Sequence, residues 1–82
     1  MTYDEVFAVL RESILEVDPN LQASDITSEG HLRDLGLNSV DRAEVIMLST
    51  EKLGLSTPLH EFAKLPDITA LVDHLQQKVA QK

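Results

Sequence analysis

The chain has 82 residues, 43% of them apolar, with 7 Lys and Arg against 14 Asp and Glu and a formal charge of −7; this fits one domain over residues 1–82, of modest stability because a chain this short buries only about 60–65% of its unfolded surface. The lack of cysteine excludes disulfides, thiolate nucleophiles and cysteine metal sites, and no apolar run approaches the roughly 20 residues that span a bilayer. The acidic start Met1-Thr2-Tyr3-Asp4-Glu5 is unlike a signal peptide, and the negative balance disfavours nucleic acid, so a cytoplasmic monomer, bound to neither membrane nor nucleic acid and meeting partners with basic patches, is expected.

Thr2 followed by Glu5 forms a capping box, and Val6, Val9, Leu10, Ile14 and Val17 recur at helical steps, which predicts a first helix over 3–17. Asp18-Pro19-Asn20 stops it. From Leu21 to Asn38 no period persists. Leu21, Ile26, Leu32, Leu35 and Leu37 read as anchors of a loop of about 18 residues, a length more often functional than decorative. Ser39 reads as an N-cap, with Val40 to Leu53 as the second helix and Asp41 and Glu44 early, where the helix dipole favours anions. Gly54 follows as the terminating glycine, and Thr57-Pro58 opens a short third helix over Leu59 to Ala63. Leu65-Pro66 breaks that helix, Asp67 caps the next, and Ile68, Leu71, Val72, Leu75 and Val79 form its apolar stripe. The expected fold is all-α, a four-helix bundle of three longer helices and one short helix.

Few residues could carry catalysis. His31, His60 and His74 have no partner at ligand spacing. The serines at 13, 24, 28, 39, 49 and 56 include no nucleophile elbow, and there is no glycine-rich phosphate loop, so an enzyme is not expected. Ser39 stands apart, within Asp34-Leu35-Gly36-Leu37-Asn38-Ser39-Val40-Asp41 at the junction of the long loop and the second helix. One reading makes it a helix cap. The other makes it a point of covalent attachment, since a phosphodiester tethered at a helix N-terminus faces unpaired N–H groups and the positive dipole end.

That octapeptide, followed by Glu44-Val45-Ile46-Met47 and by Leu53-Gly54, resembles the acyl carrier protein family. The resemblance covers nearly the whole chain, including the long first loop and the closing Ile68-Thr69-Ala70-Leu71-Val72 helix. It implies a four-helix bundle whose Ser39 carries 4′-phosphopantetheine, attached by a phosphopantetheinyl transferase from coenzyme A with the transferase's own magnesium ion. It also implies a carrier with no catalytic step of its own. Two positions depart from the family: Asn38 replaces the acid usual before the serine, and Arg42 puts a cation on a helix that is usually acidic or neutral. Asn38-Ser39-Val40-Asp41-Arg42-Ala43-Glu44-Val45-Ile46-Met47 is more similar to free-standing carriers of bacterial polyketide pathways, especially donor carriers of β-branching cassettes. In that setting the implied partners are an acyltransferase that loads malonyl, a ketosynthase-like decarboxylase that leaves acetyl, and a condensing enzyme of the hydroxymethylglutaryl (HMG) synthase type.

The second helix has more than one apolar stripe. Val45, Ile46 and Leu53 are assigned to the bundle, whereas Val40, Ala43 and Met47 fall elsewhere beside Asp41, Arg42 and Glu44. These six residues, Val40 to Glu44 with Met47, read as a partner-docking face, acids steering the encounter and Arg42 selecting among partners. The alternatives place Val40 and Met47 in the core and pair Arg42 with a surface acid. At the level of function the alternatives are a fatty-acid carrier, an aminoacyl or peptidyl carrier, and an acidic helical interaction module with no modification at all.

Overall fold

The computed structural model describes residues 1–62, 64, 65 and 67–81. Its α-helices are α1 (Tyr3–Val17), α2 (Ser39–Lys52) and α3 (Ile68–Ala80), and 3-10 turns lie at Ala23–Asp25, Leu32–Leu35 and Leu59–Phe62. No strand occurs among the described residues. The expected short third helix is a correction: over Leu59–Phe62 it is a 3-10 turn, in which the Pro58 carbonyl accepts from the Glu61 N–H at 3.2 Å in an i→i+3 bond. Its end at Ala63 and the break at Pro66 lie outside the described residues.

α1 starts where the capping box puts it. Glu5 N–H donates to Thr2 Oγ1 at 3.2 Å and Thr2 N–H donates to Glu5 Oε1 at 2.8 Å. α2 ends on Leu53, with Gly54 at φ 68, the left-handed geometry that terminates helices. α3 is capped by Asp67, whose Oδ1 accepts from Ala70 N–H at 2.8 Å.

α1 packs against α2 and α3 around a core of Val6, Leu10, Ile14, Val45, Ile46, Leu53, Ile68, Leu71, Val72 and Leu75. Ser13 and Ser49 sit within it at no cost in unpaired hydroxyls, donating to the carbonyls of Val9 at 3.0 Å and Val45 at 2.8 Å. The long loop is tied to α3 by Ile68 N–H to Gly30 O and Thr69 N–H to Ser28 O, both 2.9 Å, and it buries Ile26, Leu32 and Leu37. It is thus a fixed strap across the bundle end.

The Leu59–Phe62 turn is held to α3 by Glu61, whose Oε1 lies 3.1 Å from Lys78 Nζ and 3.0 Å from His74 Nε2, while Phe62 meets the His74 ring edge-on at 5.0 Å. The Lys78 ammonium and then the His74 hydrogen bond hold the Glu61 carboxyl below its ordinary 4.5. A depressed folded-state pKa stabilises above the unfolded value, and that contribution disappears as pH falls through the folded one. We expect the thermal midpoint to drop on acidification below about pH 4.5, and Glu61→Gln to flatten that part of the profile. Parallel melting-point curves for parent and variant, followed by circular dichroism, would contradict the clamp.

Candidate functional site

The strap reaches α2 through Gly36, whose φ of 83 is a left-handed geometry that side-chain-bearing residues avoid. Leu37 is then buried, and Asn38 and Ser39 emerge exposed. Asn38 is extended, its Oδ1 accepts from Asp41 N–H at 2.8 Å, and its own N–H donates to Asp41 Oδ2 at 3.4 Å. The cap of α2 is therefore Asn38, which corrects the assignment of that role to Ser39. Both residue types cap well, and the position is decided by which side chain reaches the N–H three residues on. Replacing Asn38 by Ala should cost about 1 kcal/mol. Urea denaturation checks this, and an unchanged midpoint would contradict it.

Ser39 is left as the first residue of the helix, exposed, and its hydroxyl makes no hydrogen bond among the described residues. The N–H groups of a first helical turn lack intrahelical acceptors, so the hydroxyl stands at a positive helix end.

Ser39, Arg42, Ala43 and Ile46 recur at steps of three and four and form one wall of a cavity of about 470 Å³. Leu59 and Phe62 face it from the third 3-10 turn, Leu65 and Asp67 from the segment before α3, and Leu71 from its first turn. His31, Leu32 and Arg33 complete it from the strap.

The six residues assigned to a docking face separate in space. Val40 and Met47 are 72% and 59% exposed, which removes them from the core, and Glu44 lies exposed between them. Ala43 is half-buried on the cavity side instead, because a step of 100° per residue carries it off the Val40–Met47 line. Asp41 serves the cap. Arg42 forms no ion pair among the described residues: its Nη1 donates to Leu37 O at 3.0 Å, and the half-buried guanidinium borders the cavity. The alternative in which Arg42 pairs with a surface acid is thereby set aside among the described residues. Helical side chains lean toward the N-terminus, which brings the guanidinium to the carbonyl five residues back.

The sequence pattern did not single out Arg33 and Leu59 as site residues. The signal for Arg33 was its charge, a cation within a strap that otherwise carries acids. Leu59 has no local signal, and its 43% exposure beside the cavity follows from the turn geometry alone.

No helix among the described residues is long and apolar enough to cross a membrane, and no group of three or more metal-ligating side chains occurs among them. The phosphopantetheine attachment site family matches residues 8–75. The chain is 38% identical over 79 residues to the polyketide biosynthesis acyl-carrier-protein AcpK of Bacillus subtilis (strain 168), covering 96% of each chain. It is 28% identical over 75 residues to the acyl carrier protein of Helicobacter pylori (strain G27), covering 90% of each. Among solved structures it is similar to a chain in the crystal structure of the curacin biosynthetic pathway HMG synthase in complex with acetyl donor-ACP, with a TM-score of 0.81 and 34% identity over 89% of this chain and 94% of that one. With a matching family that spans both the exposed serine and the bundle that presents it, the chain belongs to the phosphopantetheine-binding acyl carrier proteins, which hold 4′-phosphopantetheine covalently and have no catalytic activity of their own.

Proposed function

We propose that Ser39 Oγ is the attachment point of the arm and that the domain, residues 1–82, is an acetyl donor carrier for β-branching in a cytoplasmic polyketide pathway. The observation that carries the attachment is the state of Ser39: exposed, at the first position of α2, with its hydroxyl unengaged among the described residues because Asn38 supplies the cap. Ser13 and Ser49 are buried and bonded to carbonyls, so they are not available. Once bound, the arm supplies a terminal thiol that holds an acyl group as a thioester. The donor role is supported by the 34% identity to a chain crystallised with an HMG synthase.

In this reading a phosphopantetheinyl transferase installs the arm, an acyltransferase loads malonyl, and a ketosynthase-like decarboxylase releases carbon dioxide to leave acetyl. An HMG-synthase-type enzyme then takes the acetyl from the arm, which is left as a free thiol, joins the acetyl methyl carbon to the β-keto carbon of a chain on another carrier, and with one water releases the acetyl carbonyl as a carboxylate. What this chain contributes is presentation. Asn38 and the buried Leu37 fix the start of α2, and exposed Val40, Glu44 and Met47 offer an apolar strip with an acid in its middle. Small strips of this kind give weak, salt-sensitive contact, which allows release to the next enzyme.

The test is acetyl transfer. The arm-bearing chain, charged with acetyl, is mixed with an HMG synthase of a β-branching cassette and an acceptor carrier bearing acetoacetyl, and both carriers are weighed by mass spectrometry. The donor role predicts that the acetyl leaves this chain and the acceptor gains it. Retention of acetyl here, with efficient charging by fatty-acid elongation enzymes or an amino-acid-adenylating enzyme instead, would replace the donor role by a fatty-acid or aminoacyl carrier.

A further inference from the structure

The cavity beside Ser39 differs in charge from the rest of the molecule. In a chain of formal charge −7, its ionisable lining is His31, Arg33 and Arg42 against one acid, Asp67, and the Asp67 carboxylate already accepts the Ala70 N–H at 2.8 Å as the cap of α3. Lys52 is paired with Glu12 and Glu16, and Lys78 with Glu61. Arg33 and Arg42 have no carboxylate partner among the described residues, and both border the cavity that Ser39 opens on. Arg42 uses one guanidinium N–H on Leu37 O at 3.0 Å, which fixes the group at the N-terminal end of α2 and leaves further donors of its fork. Arg42 follows Ser39 by three positions on one helix, so the two side chains are neighbours on the same stripe.

Two arginines without a carboxylate partner among the described residues, lining the same half-enclosed space as a hydroxyl at a helix N-terminus, match a singly charged phosphate ester in sign, and a guanidinium fork can pair with two phosphate oxygens. We propose that Arg42 and Arg33 form a cradle for the phosphodiester of the arm, so that the base of the arm lies along the cavity of its own carrier instead of extending freely into solvent. This rests on attachment at Ser39. It gives Arg42 a task within the chain: balancing the charge that modification introduces, and leaving to the Val40–Met47 strip the contact with other proteins.

The test compares the full chain before and after modification with coenzyme A and a transferase. Intact mass reports whether the arm is on, and nuclear magnetic resonance follows the arginine Nε–H signals and the phosphorus line. The cradle predicts that the Nε–H signals of Arg42 and Arg33 shift on modification, that the shifts shrink in about 1 M salt, where charge interactions are screened within about 3 Å, and that Arg33→Met and Arg42→Met each move the phosphorus line. Circular dichroism establishes that the variants fold, and the apo-to-holo shift of the parent decides the matter without them. A gained arm with unmoved arginine signals would overturn the cradle alone. No gain in mass would overturn the attachment reading and the cradle with it.

Discussion

Ser39→Ala is expected to fold as the parent does and to accept no arm when incubated with coenzyme A, magnesium and a promiscuous transferase. The two halves of that outcome have separate causes. The fold survives because Ser39 is exposed, its hydroxyl bonds to nothing among the described residues, and the cap belongs to Asn38. A surface substitution of this kind, to the best helix former, changes stability by no more than about 0.5 kcal/mol. The modification is lost because the nucleophilic oxygen is gone: Ser13 and Ser49 are buried, and Ser24, Ser28 and Ser56 do not stand at the start of an α-helix. Had Ser39 been the cap, the same substitution would lower stability by about 1 kcal/mol and confuse loss of the site with loss of the helix. Intact mass and a melting curve on the same sample check both halves. A normal mass gain in the variant, or a melting point well below that of the parent, would contradict the assignment.

Leu10→Ala is expected to have the opposite pattern, with the chemistry untouched and the fold failing. Leu10 is fully buried in the middle of α1, flanked along the same stripe by Val6 and Ile14, which are also fully buried. Truncating such a side chain costs about 2–5 kcal/mol from lost burial and the cavity left behind. A domain of this length has a total of roughly 4–12 kcal/mol at 0.05–0.15 kcal/mol per residue. The variant should therefore unfold at a much lower urea concentration, and a detectable fraction should be unfolded without any denaturant. Met47→Ala, which removes a side chain 59% exposed, should leave the same curve unmoved. A Leu10→Ala midpoint equal to that of Met47→Ala would contradict the core described here.

The helices were largely legible in the residues because their ends carry local signals. The Thr2–Glu5 box placed α1 at Tyr3–Val17, Gly54 marked the end of α2, and Asp67 marked the start of α3. What failed to show was whatever depends on contact between distant segments. The strap contains two 3-10 turns, Ala23–Asp25 and Leu32–Leu35, and is tied down where the Ile68 and Thr69 N–H groups of α3 donate to the carbonyls of Gly30 and Ser28, and no periodicity encodes such a bond. The cap of α2 was displaced by one residue because Asn38 and Ser39 are equally good caps on propensity, and only side-chain reach separates them. The second apolar stripe of α2 was legible in its period and not in its phase: Val40 and Met47 are exposed, whereas Ala43 turns to the cavity. The cavity itself joins four segments of the chain, so Arg33 and Leu59 could not be connected to Ser39 without the fold.

The most direct test of the account is to locate the arm on the modified chain. Proteolysis of the arm-bearing protein followed by tandem mass spectrometry should place a single phosphopantetheinyl group on the peptide containing Leu37-Asn38-Ser39-Val40, at the Ser39 oxygen. The same group on Ser24, Ser28 or Ser56, or an unmodified Ser39 peptide in a fully modified chain, would contradict it.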